Sequence, residues 1–261
     1  MIKLTHSYHN HTARCHHASG SDEEYVKAAI NGGLELFGFA DHAPHLYYGD
    51  YRSSVRMTAD ELPEYCAAIN ELKEKYKGEI DIKIGLEMEY MPAFFDKDIQ
   101  LYRSLGVEYL ILAQHTIGNE SLPGRLDSFA EGDDKARLTA YVNQCIEGIK
   151  SGVYSYFAHP DVLNFSGDED FYENECDRLI DAAKEFSLPL EINLLGLSTG
   201  RHYPREAFFK RVAKKSHYAV IGRDAHSPDR VNKKEETFAA LRFADRCGVE
   251  IKDEIKLRTI M

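Results

Sequence analysis

The sequence predicts an α/β fold built on a parallel sheet, and three observations carry that prediction. Seven short, apolar, β-rich runs alternate with seven amphipathic helical segments along the 261 residues. No Pro/Gly/Ser-rich linker and no low-complexity tract interrupts the alternation, so residues 1–261 read as a single domain. Histidines and carboxylates recur at the ends of the runs, which is where ligands bind in parallel α/β architectures. Such an alternation places helices outside a parallel sheet that is either doubly wound or closed as a barrel.

Taken in order, the first strand is expected over Ile2–His11. Ser21-Asp22-Glu23-Glu24 then has the form of a capping box, a hydroxyl with a glutamate three residues on, and starts a helix. Leu36–Asp41 is the second strand. Thr58-Ala59-Asp60-Glu61 repeats the capping-box pattern, and Gly78 falls where that helix ends. Five further strands are expected over Ile80–Glu89, Tyr109–His115, Tyr154–His159, Leu188–Leu194 and Tyr218–Asp224. Helices are expected over 95–104, 134–150, 171–186, 205–216 and 234–246, and Gly152 stands at a helix C-terminus.

Composition narrows the function classes. With 43% apolar and 29% charged residues the chain is of ordinary globular make-up, and disorder is excluded. No apolar run approaches the roughly 18 residues of a membrane span, and no basic stretch followed by an apolar core opens the sequence; a cytoplasmic, intracellular protein is expected. The net charge of −11 opposes nucleic-acid binding and suits a protein that collects cations. Cys15, Cys66, Cys145, Cys176 and Cys247 form no CxxC pair and read as scattered free thiols in a reducing compartment. Oligomeric state leaves no mark in the sequence.

The twelve histidines are clustered at strand ends. Strand one ends His9-Asn10-His11 and strand two Asp41-His42; strand three carries Glu87 and Glu89; strands four, five and seven end at His115, His159 and Asp224-Ala225-His226. Residues two apart on a strand share a face, so His9 and His11 can address one ion, and Asp224 and His226 can serve adjacent ions. Unrelated structural histidines have no reason to fall at the same end of six strands. Imidazole and carboxylate donors without thiolate suit Zn, Fe or Mn rather than Ca or Mg, and the pattern predicts a multinuclear metal site.

His9-x-His11 with His17 six residues later, Gly38-Phe39-Ala40-Asp41-His42, Gly85-Leu86-Glu87, His115, Phe157-Ala158-His159-Pro160-Asp161 and Gly222-Arg223-Asp224-Ala225-His226 resemble, in order, the motifs of the polymerase-and-histidinol-phosphatase (PHP) family. The resemblance implies a distorted (β/α)7 TIM-like barrel with a trinuclear centre of divalent Zn, Fe or Mn ions. It implies that His9, His11, Glu87 and Asp224 hold the first ion, that Glu87 bridges to a second completed by His115 and His159, and that His17, His42 and His226 hold the third. Either His16 or His17 can be the ligand by adjacency, and the spacing favours His17. Asp41 is expected to orient a ligand imidazole. His6 and His217 fall outside the pattern as structural or solvated residues, and His45 and His202 stay open as substrate contacts.

Length and layout match the family's stand-alone phosphatase of histidine biosynthesis, as does Glu191-Ile192-Asn193 followed by Gly200-Arg201 and Tyr203-Pro204, where the spacing departs somewhat. The activity implied is hydrolysis of L-histidinol phosphate, a small phosphomonoester, to L-histidinol and phosphate by a metal-bridged hydroxide; a nucleotide 3′-phosphatase or 3′-exonuclease of the same family is the alternative. An arginine to hold the free phosphate oxygens is expected, with Arg201 the first candidate and Arg14 the second, and Arg223 pointing away. Asp161 joins Asp224 and His42 as a candidate catalytic group. It stands as general acid for the leaving alkoxide, as a ligand for the substrate amine, or as a helix cap.

Overall fold

The computed structural model describes residues 3–123 and 125–260. The chain runs β1 (His6–Ser7), α1 (Asp22–Gly32), β2 (Leu36–His42), α2 (Leu62–Lys75), β3 (Asp81–Met88), α3 (Phe95–Ser104), β4 (Tyr109–Leu112), β5 (Thr116–Ile117), β6 (Leu126–Asp127), α4 (Lys135–Lys150), β7 (Tyr154–Phe157), α5 (Glu169–Glu185), β8 (Leu190–Asn193), α6 (Leu194–Ser198), α7 (Glu206–Lys214), β9 (Tyr218–Gly222), α8 (Lys234–Cys247) and β10 (Glu250–Ile251). Eight of these strands form one sheet in the order β1-β2-β3-β4-β7-β8-β9-β10, parallel at every pairing, while β5 and β6 make a small antiparallel hairpin.

The sheet curls until its ends meet. At its carboxyl end the Asp224 N–H donates to the His9 carbonyl at 2.9 Å and the His11 N–H donates to the Ala225 carbonyl at 3.0 Å, so the chain after β1 pairs with the chain after β9. At its amino end β10 lies beside β9, and the Asp253 carboxylate takes the place of a neighbouring strand, accepting the N–H groups of Thr5 at 2.7 Å and His6 at 3.2 Å. Of the two closures open to the sequence, the chain adopts the barrel, in a distorted TIM-like form.

All seven expected strands form, and β10 adds an eighth of two residues, too short to leave a periodic signal. Six of the seven stop earlier than the apolar pattern suggested, β2 running one residue further to His42; beyond β7 and β9, His159 and Asp224 have φ of 31° and 51°, conformations that non-glycine residues adopt at a cost and that gather at functional sites. Ile2, where the first strand was expected to begin, lies outside the described residues. The Ser21–Glu24 capping box is present in full. At Thr58 only half of one forms: Glu61 accepts from the Thr58 N–H and hydroxyl at 2.7 and 2.8 Å, and α2 begins at Leu62, where Pro63 suits the first turn.

Two apolar layers hold the barrel. The large one packs the helices on the outside of the sheet. The small one fills the inside with Tyr8, Ala40, Tyr109, Ile111, Ala113, Tyr156, Ala158 and Val220. Tyr109 crosses that interior, donating its hydroxyl to the carbonyls of Tyr8 at 2.6 Å and Phe39 at 3.1 Å. A Cβ at Gly38 would stand 2.1 Å from its hydroxyl and one at Gly85 2.3 Å from its ring, so both motif glycines clear the way for this ring. Ile255 and Leu257 of the segment after β10 pack against the same layer from below. With the interior filled, the carboxyl rim is left to build a site. None of the helices among the described residues is long and apolar enough to cross a membrane.

Candidate metal centre

Glu87, on β3, stands at the middle of the rim and is 1% exposed. His9 Nε2 lies 3.3 Å and His159 Nε2 2.8 Å from Glu87 Oε1, and His115 Nε2 lies 3.6 Å from the same oxygen. On the other oxygen, His42 Nδ1 is at 2.8 Å and His11 Nε2 at 3.6 Å. Asp224 comes in across the barrel seam, its Oδ1 3.1 Å from His11 Nε2 and 3.6 Å from His9 Nε2. Outward of these, His17 and His226 face each other with Nε2 atoms 3.0 Å apart, beside His42. His16 caps a short 3-10 turn with φ of 66°, while His17, itself exposed, is the one that lies with His42 and His226.

Behind these groups a set of partners fixes which nitrogen of His9, His11, His17 and His226 faces inward. Glu191, fully buried on β8, lies 2.9 Å from His9 Nδ1 through Oε2, while its Oε1 accepts from Asn193 Nδ2 at 2.8 Å. Asn193 donates also to Asp224 Oδ2 at 3.1 Å. Asp41 lies 3.4 Å from His11 Nδ1 and accepts the N–H groups of Thr12 and His42 at 3.1 and 2.9 Å. The Nδ1 atoms of His17 and His226 are turned to the carbonyls of Cys15 at 2.6 Å and Asp224 at 3.0 Å. Outer partners of this kind set the tautomer and basicity of ligand imidazoles.

The donor set fits metal ions. His42 Nδ1 and Glu87 Oε2 are buried without a hydrogen bond although 2.8 Å apart, the approach being too oblique for one. Two Nε2 lone pairs at 3.0 Å, as in His17 and His226, repel unless a cation lies between them. Burial works against ionising Glu87, but His9, His115 and the bond from His159 outweigh it and hold the carboxyl well below its ordinary range. Asp224 is held low in the same way, burial being overcome by His9, His11 and His226. Burial alone would lower His9, yet Glu191, Asp224 and Glu87 push it up to about 10. His42 is pushed down to about 4 by burial, which keeps a lone pair free. Four buried carboxylates thus call for positive charge, which either protons on imidazole or divalent ions supply.

Four expected contacts fall elsewhere. Asp161 does not line the cavity; its carboxylate accepts the Arg205 N–H at 2.5 Å, where α7 begins, so of its three readings the helix-terminal one is what the structure shows. The left-handed turn at His159 swings the following residues off the rim. The Arg14 guanidinium is engaged by Asp22 at 2.9 Å and Glu64 at 2.9 Å, outside the cavity. His202 turns to the Val162 carbonyl at 2.6 Å, and His45 is buried between Asp98 and Glu89 at 2.7 and 3.2 Å, so neither is placed to touch a substrate. Arg223 points away as expected, donating to the Val231 carbonyl. Arg201 does line the cavity, donating to the Tyr203 hydroxyl at 2.7 Å.

Cys15 was missed. Its thiol is fully buried with Sγ within 4.8 Å of His11 and His226 donor atoms, so the donor set is not free of sulfur. Burial would raise this thiol, but the neighbouring imidazoles of His11, His17 and His226 outweigh it and hold it at about 4. Its place four residues after His11, on the same turn as His17, was the available signal. Above the cluster opens a cavity of about 550 Å³ walled by Tyr51, Ser53, Arg125, Asp127, Phe129, Arg201 and Tyr203.

Comparison with known proteins agrees with this geometry. The model of the PHP domain matches residues 7–194. A probable histidinol-phosphatase of Deinococcus radiodurans is 28% identical over 252 residues, covering 94% of this chain and 92% of its own. The histidinol-phosphatase of Bacillus subtilis is 31% identical over 120 residues, 43% of this chain and 44% of its own. The crystal structure of histidinol phosphate phosphatase from Lactococcus lactis, complexed with zinc, L-histidinol and phosphate, superposes with a TM-score of 0.73 at 22% identity, covering 97% of this chain and 99% of that one. At that identity the likeness is one of fold.

Proposed function

The chain belongs to the PHP domain family, and from that membership we propose that it is a metal-dependent phosphomonoesterase that hydrolyses L-histidinol phosphate to L-histidinol and phosphate. The observation that carries the reading is the convergence of seven histidines and two carboxylates on one rim, buried at Glu87 and open to solvent at His17, beneath a cavity of about 550 Å³. The names of the relatives support the choice of substrate.

His9, His11, Glu87 and Asp224 would hold one ion, Glu87 with His115 and His159 a second, and His17, His42 and His226 a third. Divalent Zn, Fe or Mn bound there would supply positive charge to the phosphoryl oxygens and lower the pKa of a nucleophilic water. Arg201 faces the same space from the wall and is placed to hold a free phosphate oxygen. Phe129 and Tyr203, with ring centroids 6.3 Å apart, offer an aromatic wall for an imidazole. The Asp127 carboxylate offers a partner for the substrate ammonium. The whole chain serves this one site as a single domain.

The test is phosphate release from L-histidinol phosphate beside p-nitrophenyl phosphate and a nucleoside 3′-phosphate, with metal content determined on the same sample. A kcat/KM of about 10⁴ M⁻¹s⁻¹ or more for the first compound alone is expected. Equal, slow rates on all three would refute the substrate, and full activity in metal-stripped protein would refute the metal.

A further inference from the structure

Resting on the metal-centre reading above, we propose that Arg56 is a positioning residue that locks the metal-facing imidazole of His115 to the two loops forming the cavity mouth. His115 Nδ1 donates to Glu89 Oε1 at 2.9 Å, which leaves Nε2 turned toward Glu87. The guanidinium of Arg56 lies against the same carboxylate, Nη2 donating to Oε1 at 2.9 Å and Nη1, which donates to the Ala43 carbonyl at 2.9 Å, lying 2.8 Å from Oε2. Nη2 also donates to Glu120 Oε2 at 2.6 Å. Glu120, on the segment after β5, accepts in turn from the Tyr51 hydroxyl at 3.1 Å and the Ser53 hydroxyl at 2.5 Å, both on the segment after β2 and both walling the cavity. A continuous chain of charge-assisted bonds therefore runs from the centre to the mouth.

Every charged member of that chain is withdrawn from water: Glu89 is 1% exposed, Arg56 2% and Glu120 5%. Burying such a cluster carries a desolvation cost that often cancels its Coulombic gain, so stability is a weak reason for it to exist. What it supplies is geometry. Only a guanidinium presents a planar fork that holds two carboxylates at the same time. His45, on Glu89 Oε2 at 3.2 Å and held by Asp98 at 2.7 Å, braces the carboxylate from the far side. Glu89 is thereby given one orientation, and His115 with it. The mouth loops are bound to that orientation through Glu120.

The experiment uses the zinc-loaded full chain. Zinc release to a colorimetric chelator is followed for wild type, Arg56→Met, Arg56→Lys and Glu120→Gln, alongside melting of the chelator-treated proteins and KM and kcat for L-histidinol phosphate. Arg56→Met is expected to release one zinc equivalent about 10-fold or more faster while the remainder leaves at the wild-type rate, in the range seen when an outer partner of a ligand is lost. Arg56→Lys, charged but without the fork, should fall between. Glu120→Gln, which loosens only the loop end, should raise KM more than it lowers kcat and leave zinc release within about twofold. Wild-type release from Arg56→Met, or loss of all equivalents together with a fall in the melting temperature of the metal-free protein, would overturn the proposal by making the cluster idle or a prop of the fold. If wild type itself holds no zinc, the metal-centre reading fails first.

Discussion

Replacing Gly222 with alanine tests whether the outer partners of the centre are as tightly fitted as the geometry says. A Cβ at this position would lie 1.9 Å from Glu191 Oε2 and 2.1 Å from its Cδ. Ordinary contact is about 3.5 Å, so the carboxylate has to retreat by roughly 1.5 Å. That opens the 2.9 Å contact with His9 Nδ1 beyond hydrogen-bonding range. Overpacking of this kind costs about 1–3 kcal/mol, and for a chain of this size each kcal/mol lowers Tm by about 2–4 °C. Freed from Glu191, His9 should bind metal about 10–100-fold more weakly. Zinc affinity by chelator competition and melting of the metal-free protein measure the two effects separately. The decisive comparison is a cycle with Glu191→Ala: once the carboxylate is gone, Gly222→Ala should add little to either. An equal loss in both backgrounds would place the cost in the backbone and refute the reasoning.

Arg201→Ala should raise KM for a phosphomonoester about 10-fold, the worth of one charge-assisted bond, with zinc content unchanged; an unaltered KM would remove Arg201 from the phosphate site. Chelation should lower Tm, and each tenfold of free zinc above its Kd should restore about 1.4 kcal/mol; a Tm indifferent to zinc would contradict the buried-carboxylate argument. His217 sits at the turn into β9 with Nε2 on the Leu188 carbonyl at 2.8 Å, and burial holds its pKa below the ordinary value. A depressed imidazole binds its proton more readily in the unfolded chain, so its contribution is full above about pH 6.5 and is lost as pH falls through the folded value. The difference in Tm between wild type and His217→Gln should therefore shrink from pH 7 to pH 5, and a constant difference would refute the assignment.

How far the molecule could be read from its sequence depends on the range of the forces concerned. The strands of the barrel were legible because each is a short apolar run between caps, a local signal. His9, His11, Glu87 and Asp224 were legible because strand ends of a parallel sheet share one rim. Glu191 as the partner of His9 was not, since 182 residues separate them and only closure of the barrel brings them together. Glu89 stood out beside Glu87 on strand three, but nothing local marks Arg56, 33 positions away, or Glu120, 64 positions beyond Arg56, as its partners. Asp161 stands two residues after His159 in sequence but off the cavity in space, and of the readings the sequence left open its bond to the Arg205 N–H fits the helix-terminal one. Arg14 misled because the acids that claim it, Asp22 and Glu64, come from two different helices.

The seam of the barrel has a consequence for the order of folding. Thr5 and Asp253 are 248 positions apart, and His17 and His226 are 209 apart, so the contacts that shut the barrel are among the most distant in the chain. Loop-closure entropy makes such contacts slow to form. Because His9 and His11 stand on one side of the seam and Asp224 and His226 on the other, their donor atoms reach bonding distance of one another only after it has closed. On the proposed reading, metal capture would be a late event that reports completion. An ion that bridges the seam also opposes its reopening, so zinc is expected to slow unfolding more than it speeds folding.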